Sequence, residues 1–200
     1  FRALCLSLAL TFSYQAAQAD VVMFDGFAAQ TAMTTMHNSV LQQRYGVKEE
    51  QESAEPALTA TKPAKASLTF SPSAADTRKN IAKFIKQSQT IDPAAAAQLE
   101  AAFAAKDMMG AINQALRKLG LSHTNVADVY AVYWISAWQA SQGQTHTPSA
   151  ATFQAVSAQL SSNLAQSEDF TATSDAQKQE MTETLLIQAA LIDASLEQAA

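Results

Sequence analysis

Apolar residues recur at spacings of three and four through most of the chain, a period that belongs to helices and not to strands. Ile81, Phe84 and Ile85 form such a stripe and predict a first helix over about 75–88. Asp92-Pro93 reads as an N-cap followed by proline in the first helical position, opening an alanine-rich second helix with Ala96, Leu99 and Phe103 inward. Asp107 caps a third helix carrying Met108, Ile112, Ala115, Leu116 and Leu119, which ends at Gly120, a residue able to take the left-handed backbone of a helix stop. Asn125 or Thr124 opens a fourth, running to Gly143. Thr147-Pro148 repeats the cap-proline pattern for a fifth, with Phe153, Val156, Leu160 and Leu164 on one stripe. Ser174 and Asp175 open the last, where Met181, Leu185, Ala189, Ile192 and Leu196 are expected to face inward. Leu68 and Phe70, just before Pro72, read as an extended anchor leading into these helices. The pattern predicts an all-α fold, a compact bundle of about six helices over residues 68–198 behind a flexible N-terminal extension.

That extension follows other rules. Arg2, the short apolar run after it and Ala17-Gln18-Ala19 have the charge, length and small-x-small ending of a secretory signal peptide, so residues 1–19 are expected to be removed after Ala19. Residues 20–46 hold a short strand signal at Val21-Val22-Met23-Phe24 and a methionine-bearing amphipathic helix at about 28–44. Residues 47–67 are charged, contain Pro56 and Pro63, and have almost nothing to bury, which predicts a disordered linker. The expected address is periplasmic or secreted, with no stable membrane insertion once the signal is gone.

Composition narrows the class. The chain is 48% hydrophobic but only 16% charged, and its five glycines and five prolines are too few for a collagen-like chain or for the corners of a β-sandwich. A net charge of -5 argues against a protein built to hold nucleic acid, which needs a basic face to displace counterions from phosphates. The single cysteine, Cys5, falls inside the signal segment and leaves a mature chain without thiols, which suits an oxidising compartment. His37, His123 and His146 stand apart from one another and from carboxylates at helical spacing, so no metal site is expected, and no Gly-rich phosphate loop or other cofactor motif is present. Lys79, Lys83 and Lys86 read as a solvated stripe, and Glu180 and Glu183 beside Lys178 as wet surface.

The informative stretch is the fourth helix and the polar turn ahead of it. From Val126 to Ala140 apolar residues point in nearly every direction, which predicts burial on most sides, with Asp128, Ser136 and Gln139 left for a narrow exposed strip. Tyr130, Trp134 and Trp138, four residues apart, are expected to stack along one face, with Tyr133 on another. The aromatic set reads either as core or as the wall of a ligand pocket, since Tyr and Trp carry polar tips. In the turn, Asn125 and Asp128 have the spacing of an N-cap and an acidic first-turn residue. His123 with Asp128 could also pair as a base and its orienting carboxylate, but no serine or cysteine sits in a nucleophile motif.

Leu119-Gly-Leu-x-x-x-Asn125-Val-Ala-Asp128, then Tyr133-Trp134 and Trp138, with Leu68-Thr-Phe70-Ser-Pro72-Ser upstream, resembles a family of exported bacterial proteins catalogued only as a domain of unknown function. The resemblance spans about Leu68 to Leu196. It implies an exported all-helical domain behind a variable linker and carries no activity, substrate or partner with it. The residues and the resemblance lead to one expectation, a non-enzymatic exported domain that binds a protein or cell-envelope partner. The rival is a small-ligand binder or hydrolase with a pocket beside Tyr130, Trp134 and His123. The surface or pocket in either case draws on His123, Asn125, Asp128, Tyr130, Tyr133, Trp134 and Trp138.

Overall fold

Every helix longer than one turn begins at a side chain that accepts a hydrogen bond from the free N–H groups of its first turn. The computed structural model describes residues 67–199, and within them the caps are Ser73, Asp92, Asp107, Asn125, Ser149 and Ser174. They open α1 (Ala74–Ile91), α2 (Pro93–Ala105), α3 (Met108–Lys118), α4 (Val126–Ser141), α5 (Ala150–Leu164) and α7 (Asp175–Gln198). Between the last two lies a single turn, α6 (Glu168–Thr171), whose Ser167 makes no side-chain cap. At Ser174 the cap is reciprocal, since Gln177 three residues on accepts from the Ser174 backbone N–H.

The fold is thus the expected all-α bundle, with six substantial helices. Two boundaries differ from expectation. α1 runs on to Ile91, because Asp92 both ends it and caps α2, its Oδ1 accepting from the N–H groups of Ala94 and Ala95 at 3.0 Å. α5 starts at Ala150, because Ser149, and not Thr147, supplies the cap to the Thr152 N–H; Pro148 therefore lies before the helix instead of in its first position. Gly120 and Gly143 both sit at positive φ, 74° and 60°, and close α3 and α4 as left-handed stops. The expected signal peptide, strand at Val21–Phe24, helix near 28–44 and linker up to Ala66 lie outside the described residues.

Packing is organised around α7. Its Met181, Leu185, Leu186 and Ala189 join Ile112, Leu116, Val129, Val132, Phe153 and Leu160 in the largest core cluster. Ile187 meets Phe84, Ile85 and Leu99 in a second, and Ala190 and Ala194 meet Met108 in a third. A fully buried side chain of this kind contributes about 1.5–3 kcal/mol. One helix serving three clusters is covered on several sides, so the single inward stripe expected of it is corrected. Ile192 and Leu196 are only half-buried, while Leu186, Ile187, Ala190, Asp193 and Ala194 are buried.

The extended anchor is present. Thr69 bridges Asn125 in antiparallel fashion, with the Phe70 N–H on the Thr124 carbonyl at 3.2 Å and the Val126 N–H on the Leu68 carbonyl at 3.0 Å. Phe70 is buried beneath it. The same segment reaches α7, where the Ser71 N–H meets Asp175 Oδ2 at 3.1 Å and the Ser73 N–H meets Gln179 Oε1 at 2.8 Å. Residues 68–73 therefore strap the start of α4 to the start of α7.

Candidate functional site

The turn that the sequence marks as informative, Leu121 to Asp128, is the ground to which the strap is tied. Asn125 caps α4 by accepting from the Ala127 N–H at 3.0 Å. Asp128, one turn in, folds its carboxylate back over the turn. Oδ2 accepts from the Ser122 N–H at 2.9 Å, and Oδ1 takes the Ser157 hydroxyl of α5. Ser122 and Thr124 share a hydroxyl contact at 2.9 Å. Gln154 of α5 donates to the Leu119 carbonyl at 2.9 Å and fixes the other end of the turn. Asp128 therefore joins turn, α4 and α5, a larger task than favouring the helix dipole.

His123 is half-buried in this turn. Burial and the nearby Arg117 charge lower its pKa below 6.5, while Glu183 of α7 pulls the other way. The Asp128 oxygens are taken by Ser122 and Ser157.

Along α4 the aromatic residues divide. Tyr130 is buried, and its ring meets Tyr133 at 6.2 Å and Trp134 at 6.3 Å between centroids, both tilted. Tyr133 and Trp134 are half-buried and pack against the main cluster. Burial first, and then repulsion from the ionised Tyr133 hydroxyl, push the Tyr130 hydroxyl up to about 12, and burial raises Tyr133 as well. Trp138 stands outside this group. It is 49% exposed, so the expected stack of Tyr130, Trp134 and Trp138 with Tyr133 elsewhere is corrected to a Tyr130–Tyr133–Trp134 set with Trp138 in solvent. The buried polar positions are corrected too. Ser136 and Gln139 face inward, and Gln139 Nε2 donates to the His146 carbonyl at 2.6 Å, holding the loop after α4 against the helix. His146 itself is exposed.

The polar cluster the sequence reading missed lies between α1 and α7. Glu183 is buried, not wet surface, and its two oxygens accept from Thr77 at 2.6 Å, Asn80 at 2.7 Å and Gln179 at 3.0 Å. Gln179, 1% exposed, also donates to the Ser73 carbonyl at 2.8 Å. The pairs Ser73–Gln179 and Thr77–Glu183 keep one sequence offset, so α1 and α7 run parallel at this point. Lys178 is buried as well, with its ammonium 5.7 Å from the Phe170 ring centre. Of the lysine stripe, Lys83 pairs with Glu180 at 2.6 Å on the surface, an interaction of little weight in water. The available signal for this cluster was Asn80, which falls on the Thr77–Phe84 face that the helical period assigns to the core.

Among the described residues, no three His, Cys, Asp or Glu side chains gather in a way that would hold a metal ion, and no helix is long and apolar enough to cross a membrane. No curated protein and no solved structure matches the chain. A family of unknown function, DUF6683, matches residues 3–200, well beyond the Leu68–Leu196 span of the motif, and the chain belongs to that family.

Proposed function

We propose that this member of DUF6683 is an exported helical domain that works by binding a cell-envelope component, and that the Trp138 end of α4 is its contact surface. The observation that carries this reading is the exposure of Trp138. Of the seven residues singled out in and after the polar turn, His123 is half-buried in the turn, Asn125 and Asp128 are spent on capping and cross-bracing, and Tyr130, Tyr133 and Trp134 on packing. Trp138 alone keeps about half of its surface in water. A partner gains free energy by covering a solvent-facing apolar ring, and tryptophan is among the residue types enriched where binding energy concentrates. Export is supported by Arg2, the apolar run and Ala17-Gln18-Ala19.

The test is to express the full chain with its leader in its native host and fractionate the cells. Protein that begins at Asp20 and sediments with the envelope, and that a Trp138→Ala variant of equal stability releases to the soluble fraction, supports the proposal. Protein that keeps Phe1 in the cytoplasm, or an envelope association indifferent to Trp138→Ala, contradicts it.

A further inference from the structure

We infer that the ligand taken at the Trp138 end of α4 is a neutral oligosaccharide chain, an inference that rests on the binding reading above. The first observation is electrical. Between Asp128 and Glu168 the sequence contains no Asp, Glu, Lys or Arg, although a stretch of that length would carry several at the chain's 16% charged share. The uncharged run covers nearly all of α4, the whole of α5 and the loop joining them. Within that run a polyanion finds no cation, and a charged peptide finds no counter-charge to replace its lost hydration.

The second observation is the chemistry around the ring. Ser141 and Gln142 lie three and four residues after Trp138, hence beside it on the helix surface, and both are exposed. Thr145 and His146 follow in the loop, also exposed, and that loop is drawn against the helix by the bond from Gln139 to the His146 carbonyl. The exposed indole is therefore followed along the chain by exposed hydroxyl, amide and imidazole side chains, of which the Ser141 hydroxyl donates to the Trp138 carbonyl and accepts from Gln142. A pyranose ring is the complement of this arrangement. It offers an apolar C–H face to stack on an aromatic ring and a rim of neutral hydroxyls to exchange hydrogen bonds, and no charge is desolvated on either side. A lipid surface fits less well, since among the described residues Trp138 and Ile91 are the only large hydrophobic side chains exposed.

The test uses the full mature chain and three neutral hexasaccharides, chitohexaose, cellohexaose and maltohexaose, followed by isothermal titration calorimetry. At least one should bind saturably with a Kd on the order of 0.1–1 mM, as suits a single aromatic platform. That affinity should hold within about twofold between roughly 0.05 and 0.5 M NaCl, because no ion pair is made. Trp138→Ala should weaken it at least about tenfold, and Trp138→Phe should recover part of the loss. Absence of saturable binding to all three sugars, binding that falls steeply with salt, or affinity retained in Trp138→Ala overturns the inference. The wider reading fails separately. Envelope association that persists on envelopes stripped of protein by protease supports the glycan, whereas association that depends on Trp138 and is abolished by the protease treatment keeps the binding reading and sinks the sugar.

Discussion

Ser157 donates its hydroxyl to Asp128 and so ties the middle of α5 to the turn that launches α4. The carboxylate also holds the Ser122 N–H, which makes it a brace between three pieces of chain. Asp128→Ala is expected to cost about 1.5–3 kcal/mol, as for hydrogen bonds to a charged group. Asn125→Ala should cost about 0.5–2 kcal/mol, the worth of one N-cap. In a double-mutant cycle Asp128→Ala and Ser157→Ala should be non-additive, because they break one bond; additive losses in urea unfolding would show that the brace carries no energy.

Glu183 gives a sharper contrast. Glu183→Ala removes the acceptor of the Asn80 amide inside the fold, at about 1–3 kcal/mol for a buried group left unsatisfied, while Thr77 and Gln179 keep the Ser73 carbonyl. Glu183→Gln keeps the shape and one acceptor and should be the milder change. Equal denaturant midpoints for the two variants would mean that water reaches the cluster.

The two tryptophans should separate by stability. Trp134 packs against the main cluster, so Trp134→Ala is expected to cost about 2–4 kcal/mol, below the full-burial range because the ring is only half-buried. Trp138→Ala should stay within about 0.5 kcal/mol of the parent. A Trp134→Ala protein as stable as its parent would remove the ring from the core.

Stability should also respond to pH at both ends of the range. The folded His123 holds its proton less tightly than the unfolded chain does, so its contribution is complete above about 6.5 and is lost as pH falls through its lowered folded value. A His123→Asn variant should therefore lose less thermal stability than the parent between neutral and mildly acidic pH. Tyr130 has the opposite sign. Its folded hydroxyl titrates near 12 against 10.0 when unfolded, so the stability it adds is present below 10.0 and is lost as pH rises towards 12. Tyr130→Phe should flatten that alkaline decline, and an unchanged profile in either variant would refute the corresponding assignment.

The helices were legible because their signals are local. Asp92, Asp107, Asn125 and Ser174 each sit where a cap is needed, and a cap is chosen by the few residues that follow it. Even the anchor at Leu68 and Phe70 showed through its extended, proline-limited pattern. What stayed hidden is how α7, the organising helix, is covered on several sides. Lys178, Gln179, Thr182, Glu183, Gln188 and Asp193 scatter polar groups around its circumference, a pattern that reads as surface, yet all six are buried. The burial of Gln179 and Glu183 depends on acceptors and donors brought by the distant Ser73, Thr77 and Asn80, which no period within α7 reveals. Trp138 was misplaced for a related reason. A four-residue spacing shows which side of a helix a ring shares, but not where along the helix its neighbours end.

Only two tryptophans occur in the chain, so a proton–nitrogen correlation spectrum shows two indole N–H signals, one from each. Titrating the labelled mature protein with solubilised host envelope material places the contact directly. The Trp138 signal should shift or broaden progressively while the Trp134 signal stays in place, since one ring meets the partner and the other meets the core. Movement of the Trp134 signal alone would transfer binding to a pocket beside Tyr130 and Trp134, and stillness of both would contradict the account of this helix end as the protein's contact surface.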